Sequence, residues 1–312
     1  MKIGFAGAGA VGCHYGSKLQ QAGFDVLLLA RGPHLKALQE HGLCHESENK
    51  TKSIAVIATA KAEQFKECQV IILCCKMTGL SNMISTIQHF VTQDTLLVTL
   101  QNGVEAPDFI RTSFPNNSIA AGSAFIGARI EQPGHIIHSA AGGIRLGHWQ
   151  QGEGEHHLAT LIEAFKSAGV PARIDPDPAA MLWRKLLWNC GFNAITAITR
   201  RYARDMATDK ETLLIVEQAM QETVALAQSF GIAIEEADIS KHIDITLAMG
   251  PVKTSMWQDI EAGHPTEIDF INGYIAKEAE KKKLPAAANR FLTTLIHATE
   301  RTPGNTLHHD KV

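Results

Sequence analysis

The side chains best suited to chemistry lie in the run Met181-Leu182-Trp183-Arg184-Lys185-Leu186-Leu187-Trp188-Asn189-Cys190-Gly191-Phe192-Asn193-Ala194-Ile195-Thr196. On a helix, at 100° per residue, Asn189 stands about 40° from Lys185, Asn193 about 80° and Thr196 about 20°, so the four share one face. The rest is apolar nearly all round, which predicts a buried helix. Burying a lysine and two asparagines without partners is strongly unfavourable, so they must face partners, water or a ligand. A desolvated lysine has a lowered pKa and can donate a proton near neutral pH. Asparagine amides can hold a carboxylate or a hydroxyl. A lysine reaching solvent beside structurally satisfied asparagines remains open on these residues alone. Gly191, unfavourable inside a helix, predicts close approach by another element.

A second group follows in Thr254-Ser255-Met256-Trp257-Gln258-Asp259 and Gly263-His264-Pro265-Thr266-Glu267-Ile268-Asp269. Ser255 and Asp259 share a helix face. Thr266 with Asp269 resembles a capping box, which predicts Glu267 in a first helical turn, either as a dipole-stabilising acid or as a rigidly held functional one.

At the N-terminus the short β run Lys2–Ala6 opens into Gly7-Ala8-Gly9-Ala10-Val11-Gly12. This G-x-G-x-x-G follows a strand and begins a helix, the context in which it cradles a dinucleotide pyrophosphate. The helix N-terminus then presents free N–H groups to the phosphates. The second strand ends Leu28-Leu29-Ala30-Arg31-Gly32. An NAD site places an acid there for the ribose 2′-hydroxyl. Here Asp25 precedes the strand, and Arg31 suits a 2′-phosphate, so NADP(H) is the expected cofactor. Lys76 and Gln101-Asn102-Gly103 end two later strands, where open α/β sheets bind ligands. Asn102 could bond the cofactor near its nicotinamide end and Lys76 could neutralise charge. A surface lysine and a turn asparagine are the plain alternatives.

These residues need a scaffold, and the chain patterning supplies one. Apolar strand runs (Lys2–Ala6, Val26–Ala30, Val70–Cys75, Thr95–Leu100) alternate with helical stretches (Val11–Ala22, Pro33–His41, Leu80–Phe90). Such alternation predicts a parallel sheet covered by helices. Further β segments around Ser118–Ile130, His135–Ser139 and Gly143–Gly147 would extend it in mixed orientation. After Asp175-Pro176-Asp177-Pro178 the pattern is helical: Ala179–Ile198, Lys210–Phe230, Ile239–Met249, Val252–Ala262, Thr266–Lys283 and Ala286–Thr299. The expected division is therefore 1–175 for a Rossmann-type dinucleotide-binding domain and 176–312 for an all-α substrate and catalytic domain, with a polar tail from Thr302.

The 312 residues carry a net charge of −3 and 45 % apolar residues, which gives no reason to expect nucleic acid or an anionic membrane as a partner. The longest apolar runs are strand-sized, well short of the roughly 20 residues a membrane helix needs. Lys2 before an apolar stretch could suggest a secretory signal, but the glycines break it up. The cysteines (Cys13, Cys44, Cys68, Cys74, Cys75, Cys190) form no C-x-x-C and no evident framework, so free thiols in a reducing cytoplasm are expected. His156-His157 and His308-His309 have no sequence neighbours at metal-ligand spacing. They read as surface residues, and no metal is expected.

Taken in order, Gly7-Ala8-Gly9-Ala10-Val11-Gly12, Arg31, Lys76, Gln101-Asn102-Gly103, Leu182-Trp183-Arg184-Lys185-Leu186, Asn189, Asn193, Ser255-Met256-x-Gln258-Asp259 and Thr266-Glu267-Ile268-Asp269-x-Ile271-Asn272-Gly273 make a specific set. The chain resembles the ketopantoate reductase (2-dehydropantoate 2-reductase) family over essentially its whole length. The resemblance implies NADPH-dependent reduction of 2-dehydropantoate to (R)-pantoate in pantothenate and coenzyme A biosynthesis. It also implies a C-terminal domain like that of 6-phosphogluconate dehydrogenases, an active site in the cleft, and a monomer or homodimer. By position it implies Lys185 as general acid; Asn189, Asn193 and Ser255 as substrate-binding; and Glu267 as an acid that contacts cofactor and orders the site. Gly7, Ala8, Gly9, Ala10, Val11, Gly12, Arg31, Lys76, Asn102 and, by ungapped count, Ala128 fall where the family contacts NADPH. Two positions depart from some members: Gly79 where they have glutamine, and Ala203 where they have a further substrate-binding asparagine. Ala203 lies within Arg200-Arg201-Tyr202-Ala203-Arg204, a basic cluster that could favour a dianionic substrate if it faces the ligand. The competing readings are a related reductase of another small 2-oxo or 3-hydroxy acid, and a non-catalytic NADPH sensor.

Overall fold

The computed structural model describes residues 1–48 and 50–301; the tail from Thr302, with His308-His309, lies outside the described residues. The chain forms two compact units, Met1–Gln101 with Glu105–Met181, and Asn102–Val104 with Leu182 onward.

The first unit is built on β1 (Lys2–Ala6), α1 (Ala10–Gln21), β2 (Asp25–Leu29), α2 (Gly32–His41), β3 (Leu43–Ser47), β4 (Lys50–Ile54), β5 (Ala58–Thr59), β6 (Val70–Leu73), α3 (Leu80–Ile87), β7 (Leu96–Thr99), α4 (Ala106–Ser113), β8 (Ile119–Gln132), β9 (His135–Gln150), α5 (His157–Ser167) and β10 (Ala172–Ile174). Five strands run parallel in the order β7-β6-β1-β2-β5. Ile3, Phe5, Ile71, Ile72, Leu97 and Val98 are all fully buried, as strands covered on both faces require. The chain passes from β1 to β2 on one side and later returns to β6 on the other. The strand order therefore reverses at β1, and the glycine loop leaves the carboxyl end of that switch-point strand.

The sheet extends in mixed orientation, β8 parallel to β7 and β9 antiparallel to β8. The two segments expected at His135–Ser139 and Gly143–Gly147 are one strand. Ala141 (φ 58°) and Gly142 (φ 123°) form an irregularity within it rather than a break. The β3–β4 hairpin beside β9 and the helices α4 and α5 have no counterpart in the sequence-based expectation.

The second unit is helical. Helix α6 (Pro178–Thr199) crosses the division at Met181, and is followed by α7 (Ala203–Thr208), α8 (Lys210–Ser229), α9 (Glu236–Leu247), α10 (Ser255–Glu261), α11 (Asn272–Lys282) and α12 (Ala287–Glu300). Gly191 permits the approach that it predicts: a Cβ there would lie 2.6 Å from Met220 Cε and 3.2 Å from Val216 Cγ1 of α8. Asn272 Nδ2 donates to Cys190 O and to Asn289 Oδ1, and Asn289 Nδ2 donates to Glu222 Oε2. Glu222 also accepts the backbone N–H groups of Ala288 and Asn289 at the start of α12. That buried acid is satisfied by an otherwise unpaired helix end, a structural role.

The single helix expected over Thr266–Lys283 is not formed. A 3-10 turn, Ile268–Phe270, is cut off from α11 by Ile271, whose backbone (φ −115°, ψ −101°) is not helical. The capping box fails with it: Thr266 Oγ1 accepts from Ile268 N–H, and Asp269 pairs instead with His297 at 3.0 Å. Glu267 therefore precedes the turn and is no helix-dipole acid.

Among the described residues, no helix is long and apolar enough to cross a membrane, and all six cysteines are free thiols.

Candidate active site

Helix α6 carries the polar stripe into the second unit. Lys185 is half-buried, and Asn189 and Asn193 are 5 % and 1 % exposed. Burial pulls the Lys185 ammonium down to about 8, against the opposing pull of the Glu267 carboxylate, which favours the charged form. Glu267 is itself buried and accepts a 2.9 Å hydrogen bond from Asn102 Nδ2. Asn102, the proposed cofactor contact, thus sits with the helical residues. Gly103 after it has φ +87°, and a Cβ there would meet Phe270 O at 2.7 Å.

Among the described residues, Asn189 Nδ2 and both amide atoms of Asn193 have no hydrogen-bond partner. Buried polar groups are nearly always paired, and here three unpaired atoms lie on the helix face of a lysine of lowered pKa. Thr196, the fourth member of the stripe, has a different task. Its hydroxyl donates to Phe192 O and shares a 2.7 Å hydrogen bond with Thr254 Oγ1, and Thr254 caps α10 by accepting Trp257 N–H. Ser255, exposed at the first position of α10, directly follows the Thr254 that Thr196 bonds.

In the first unit, Gly7 (φ +115°) is in a conformation that excludes a side chain, and a Cβ on Gly12 would overlap Gly7 O. Gly9, by contrast, faces open space: a Cβ there would meet no protein atom within 4 Å. The first turn of α1 has no side-chain cap and no acidic residue. Arg31 is exposed at the N-cap of α2, Lys76 is exposed beyond β6, and Ala128 is half-buried in β8. Arg201 and Arg204 are exposed. Arg200 is half-buried, with its Nη1 enclosed and without a partner among the described residues.

Comparison with known proteins agrees with both units. The family model described as ketopantoate reductase PanE/ApbA matches residues 3–151, and the model of the family's C-terminal region matches residues 177–300. A 2-dehydropantoate 2-reductase of Mesorhizobium japonicum is 31 % identical over 292 residues, covering 87 % of this chain and 89 % of its own. The chain belongs to the ketopantoate reductase family. A family ketopantoate reductase from Ralstonia eutropha JMP134 superposes with a TM-score of 0.88 at 29 % identity, covering 96 % of this chain and 98 % of its own. D-mandelate dehydrogenase, solved with NADH and anilino(oxo)acetate, does so with a TM-score of 0.90 at 28 % identity and the same coverage.

As a member of this family the chain is an oxidoreductase that uses a nicotinamide cofactor. The residues at α1 fit such a dinucleotide. The uncapped first-turn amides offer donors to phosphate, and the open position at Gly9 leaves room for it. Two supports have no signal in sequence spacing. His34 of α2 accepts Gly134 N–H at 3.1 Å and lies 3.5 Å from Cys13 Sγ in α1. Gln101 accepts the Thr99 hydroxyl and donates to Cys75 O, bracing the ends of β6 and β7.

Proposed function

We propose that this reductase uses NADPH to convert 2-dehydropantoate into (R)-pantoate, a step toward pantothenate and coenzyme A, in the cytoplasm, as a monomer or homodimer. The observation that carries the reading is the α6 face: a lysine lowered to about 8 beside asparagine amides that are buried and unpartnered.

A nicotinamide bound at this site would supply the hydride needed at the ketone carbon. The chain's residues do the rest. Asn189 and Asn193 hold the 2-oxo acid through amide atoms that the fold leaves unused, and Ser255 adds a hydroxyl at the mouth of α10. Lys185 Nζ stabilises the negative charge growing on the carbonyl oxygen and then gives that oxygen its proton. At neutral pH a group near 8 is mostly protonated, so the acid form is ready. Glu267 keeps it so, and orients Asn102, which would contact cofactor. Gly7 to Gly12 and the α1 amides would hold the pyrophosphate, Arg31 the 2′-phosphate and Lys76 further phosphate charge, with Ala128 lining the site.

A second reading, reduction of a bulkier 2-oxo acid, draws support from Ala203. It is buried and apolar where some family members place an asparagine, and D-mandelate dehydrogenase is as similar in structure as the ketopantoate reductases. The test is NADPH oxidation with 2-dehydropantoate, with phenylglyoxylate and other 2-oxo acids alongside. Preferred turnover of 2-dehydropantoate, lost in Lys185→Ala and with KM raised in Asn193→Ala, is expected. Preference for phenylglyoxylate moves the substrate and keeps the mechanism. Cofactor binding without turnover of any acid overturns the reading.

A further inference from the structure

The geometry points to a divalent-cation site on the first unit, made of side chains that the proposed reaction does not use: Asp94, His156 and His157 bind a late first-row transition ion of the Zn2+ class. The sequence gives no hint of it, because Asp94 lies 63 positions before His157.

The fold brings the two segments together. Asp94 sits in the tight turn leading into β7, where Thr95 N–H bonds Thr92 O. The 3-10 turn Glu153–His156 and the start of α5 carry the histidines. Gly154 packs directly on the Asp94 backbone, where a Cβ would overlap Asp94 O and come within 3.0 Å of Leu96 N. Gly152 packs comparably closely, since a Cβ there would lie 2.8 Å from Asn116 O and 2.9 Å from Ser118 N. Asn117 Nδ2 pins the aspartate turn through Thr92 O and Thr95 O. Both ligand-bearing turns are therefore held in place before any ion arrives, which reduces the ordering that binding would require.

One donor atom from each of the three residues lies within 4.8 Å of the other two. His157 Nε2 is 3.3 Å from Asp94 Oδ2. That is close to the ligand–ligand edge of about 3.3 Å which a tetrahedral ion with bonds of about 2.0–2.1 Å imposes. The two imidazole rings are 4.0 Å apart, centre to centre. His156 Nδ1–H donates to Glu153 O at 3.1 Å, so in the neutral ring Nε2 carries the free lone pair. A carbonyl behind the second ring nitrogen is the usual support of a metal-bound histidine. An Asp94–His157 ion pair alone accounts for two of the residues but gives His156 no part. Two imidazoles and one carboxylate, with no thiolate, suit Zn2+, Ni2+ or Cu2+ rather than Mg2+ or Ca2+. Solvent water would complete the coordination of a partly exposed site. The positive end of α5 beside His157 opposes a cation modestly.

The test is titration of the tag-free full chain with ZnCl2 by calorimetry at neutral pH, and with CoCl2 by visible absorption. One equivalent is expected, with a rise in melting temperature, since an ion bound only by the folded state stabilises it. His156→Gln and Asp94→Asn should each weaken binding by at least about tenfold. His156→Gln, an exposed position, should leave the metal-free melting temperature and NADPH oxidation unchanged, which separates lost ligation from lost fold. Unaltered binding in both variants, binding abolished only when His308 and His309 are replaced, or no binding at submillimolar Zn2+ would each overturn the proposal.

Discussion

Asn102 and Glu267, 165 residues apart, are joined by a 2.9 Å hydrogen bond from the Asn102 amide to Glu267 Oε2. The same carboxylate is the charge that Lys185 feels. One buried acid thus addresses an amide proposed for the cofactor and an ammonium proposed as the proton donor. Its burial makes both interactions stronger than they would be in water. It also explains why Glu267 is not part of a regular helix. With Ile271 breaking the chain before α11, the carboxylate is released from a first-turn position and left to be claimed by tertiary partners.

Replacing Glu267 by Gln keeps an oxygen for Asn102 and removes the charge. The Glu267 charge raises the Lys185 pKa against burial, so its loss lets that pKa fall below about 8. A general acid must be protonated to act, and the alkaline limb of kcat/KM should therefore move to lower pH in Glu267→Gln. A pH profile decides the matter: a limb that stays near 8 while only the amplitude drops would mean that Lys185 does not sense this carboxylate.

Lys185→Met separates catalysis from stability. Loss of a general acid lowers kcat by about 10²–10⁴-fold. Stability moves the other way. The lysine is lowered from 10.5 to about 8 on folding, so between those values the unfolded chain binds more protons than the native one, and stability rises with pH. Below pH 8 the full burden of burial is present, at most about 3 kcal/mol. The variant should be more stable than the parent at pH 7, with the advantage shrinking as pH rises toward 10.5. Urea midpoints at pH 7 and pH 10 measure this; a destabilised variant at pH 7 would show that packing of the lysine stem outweighs desolvation of its head.

What is legible in the sequence is what local spacing encodes. The glycine loop announces itself because Gly7, Gly9 and Gly12 must meet backbone or ligand at fixed offsets from one strand. The α6 stripe does so because 3.6-residue periodicity places Lys185, Asn189 and Asn193 together before any tertiary contact is known. The β3–β4 hairpin is hidden because Lys50-Thr51-Lys52-Ser53 lacks apolar alternation and gains its place only by pairing with β3, which in turn pairs with β9. Thr196 reads as a member of the chemical stripe, yet its hydroxyl is spent on Thr254, a partner 58 positions away. The misread capping box has the same origin. Thr266 and Asp269 have the right spacing, but their partners are settled by the packing of α12, whose His297 takes Asp269.

Arg31 should govern cofactor choice. It stands exposed at the end of β2, where no acid is available for a ribose hydroxyl. Hydrogen bonds to a charged group contribute about 1.5–3 kcal/mol, which corresponds to about 10- to 100-fold in affinity. Arg31→Ala should therefore raise the dissociation constant for NADPH by that factor and change that for NADH little. Fluorescence titration with both cofactors tests it. An equal loss for the two would place Arg31 at the shared pyrophosphate or adenine instead.

Acid should unfold this protein partly through three histidines behind the dinucleotide loop. His14, buried in α1, has its Nδ1 3.0 Å from His45 Nε2, and its ring centre is 4.3 Å from that of His138. His138 is anchored on both ring nitrogens, Nδ1 3.0 Å from Ser47 Oγ and Nε2 3.0 Å from Ala141 O. Burial first, then His138, His45 and Lys18, push the His14 imidazole from 6.5 down to about 3. A depressed histidine stabilises the native state above its unfolded value and withdraws that support as pH falls. The contribution is thus complete above 6.5 and is lost progressively toward 3, by about 2 kcal/mol at pH 5. His14→Gln, which can keep a hydrogen bond to His45 without titrating, should lose less stability than the parent between pH 7.5 and pH 5. Urea unfolding at the two pH values checks the difference. Equal losses would move the acid sensitivity elsewhere, whereas a smaller loss in the variant would tie it to α1.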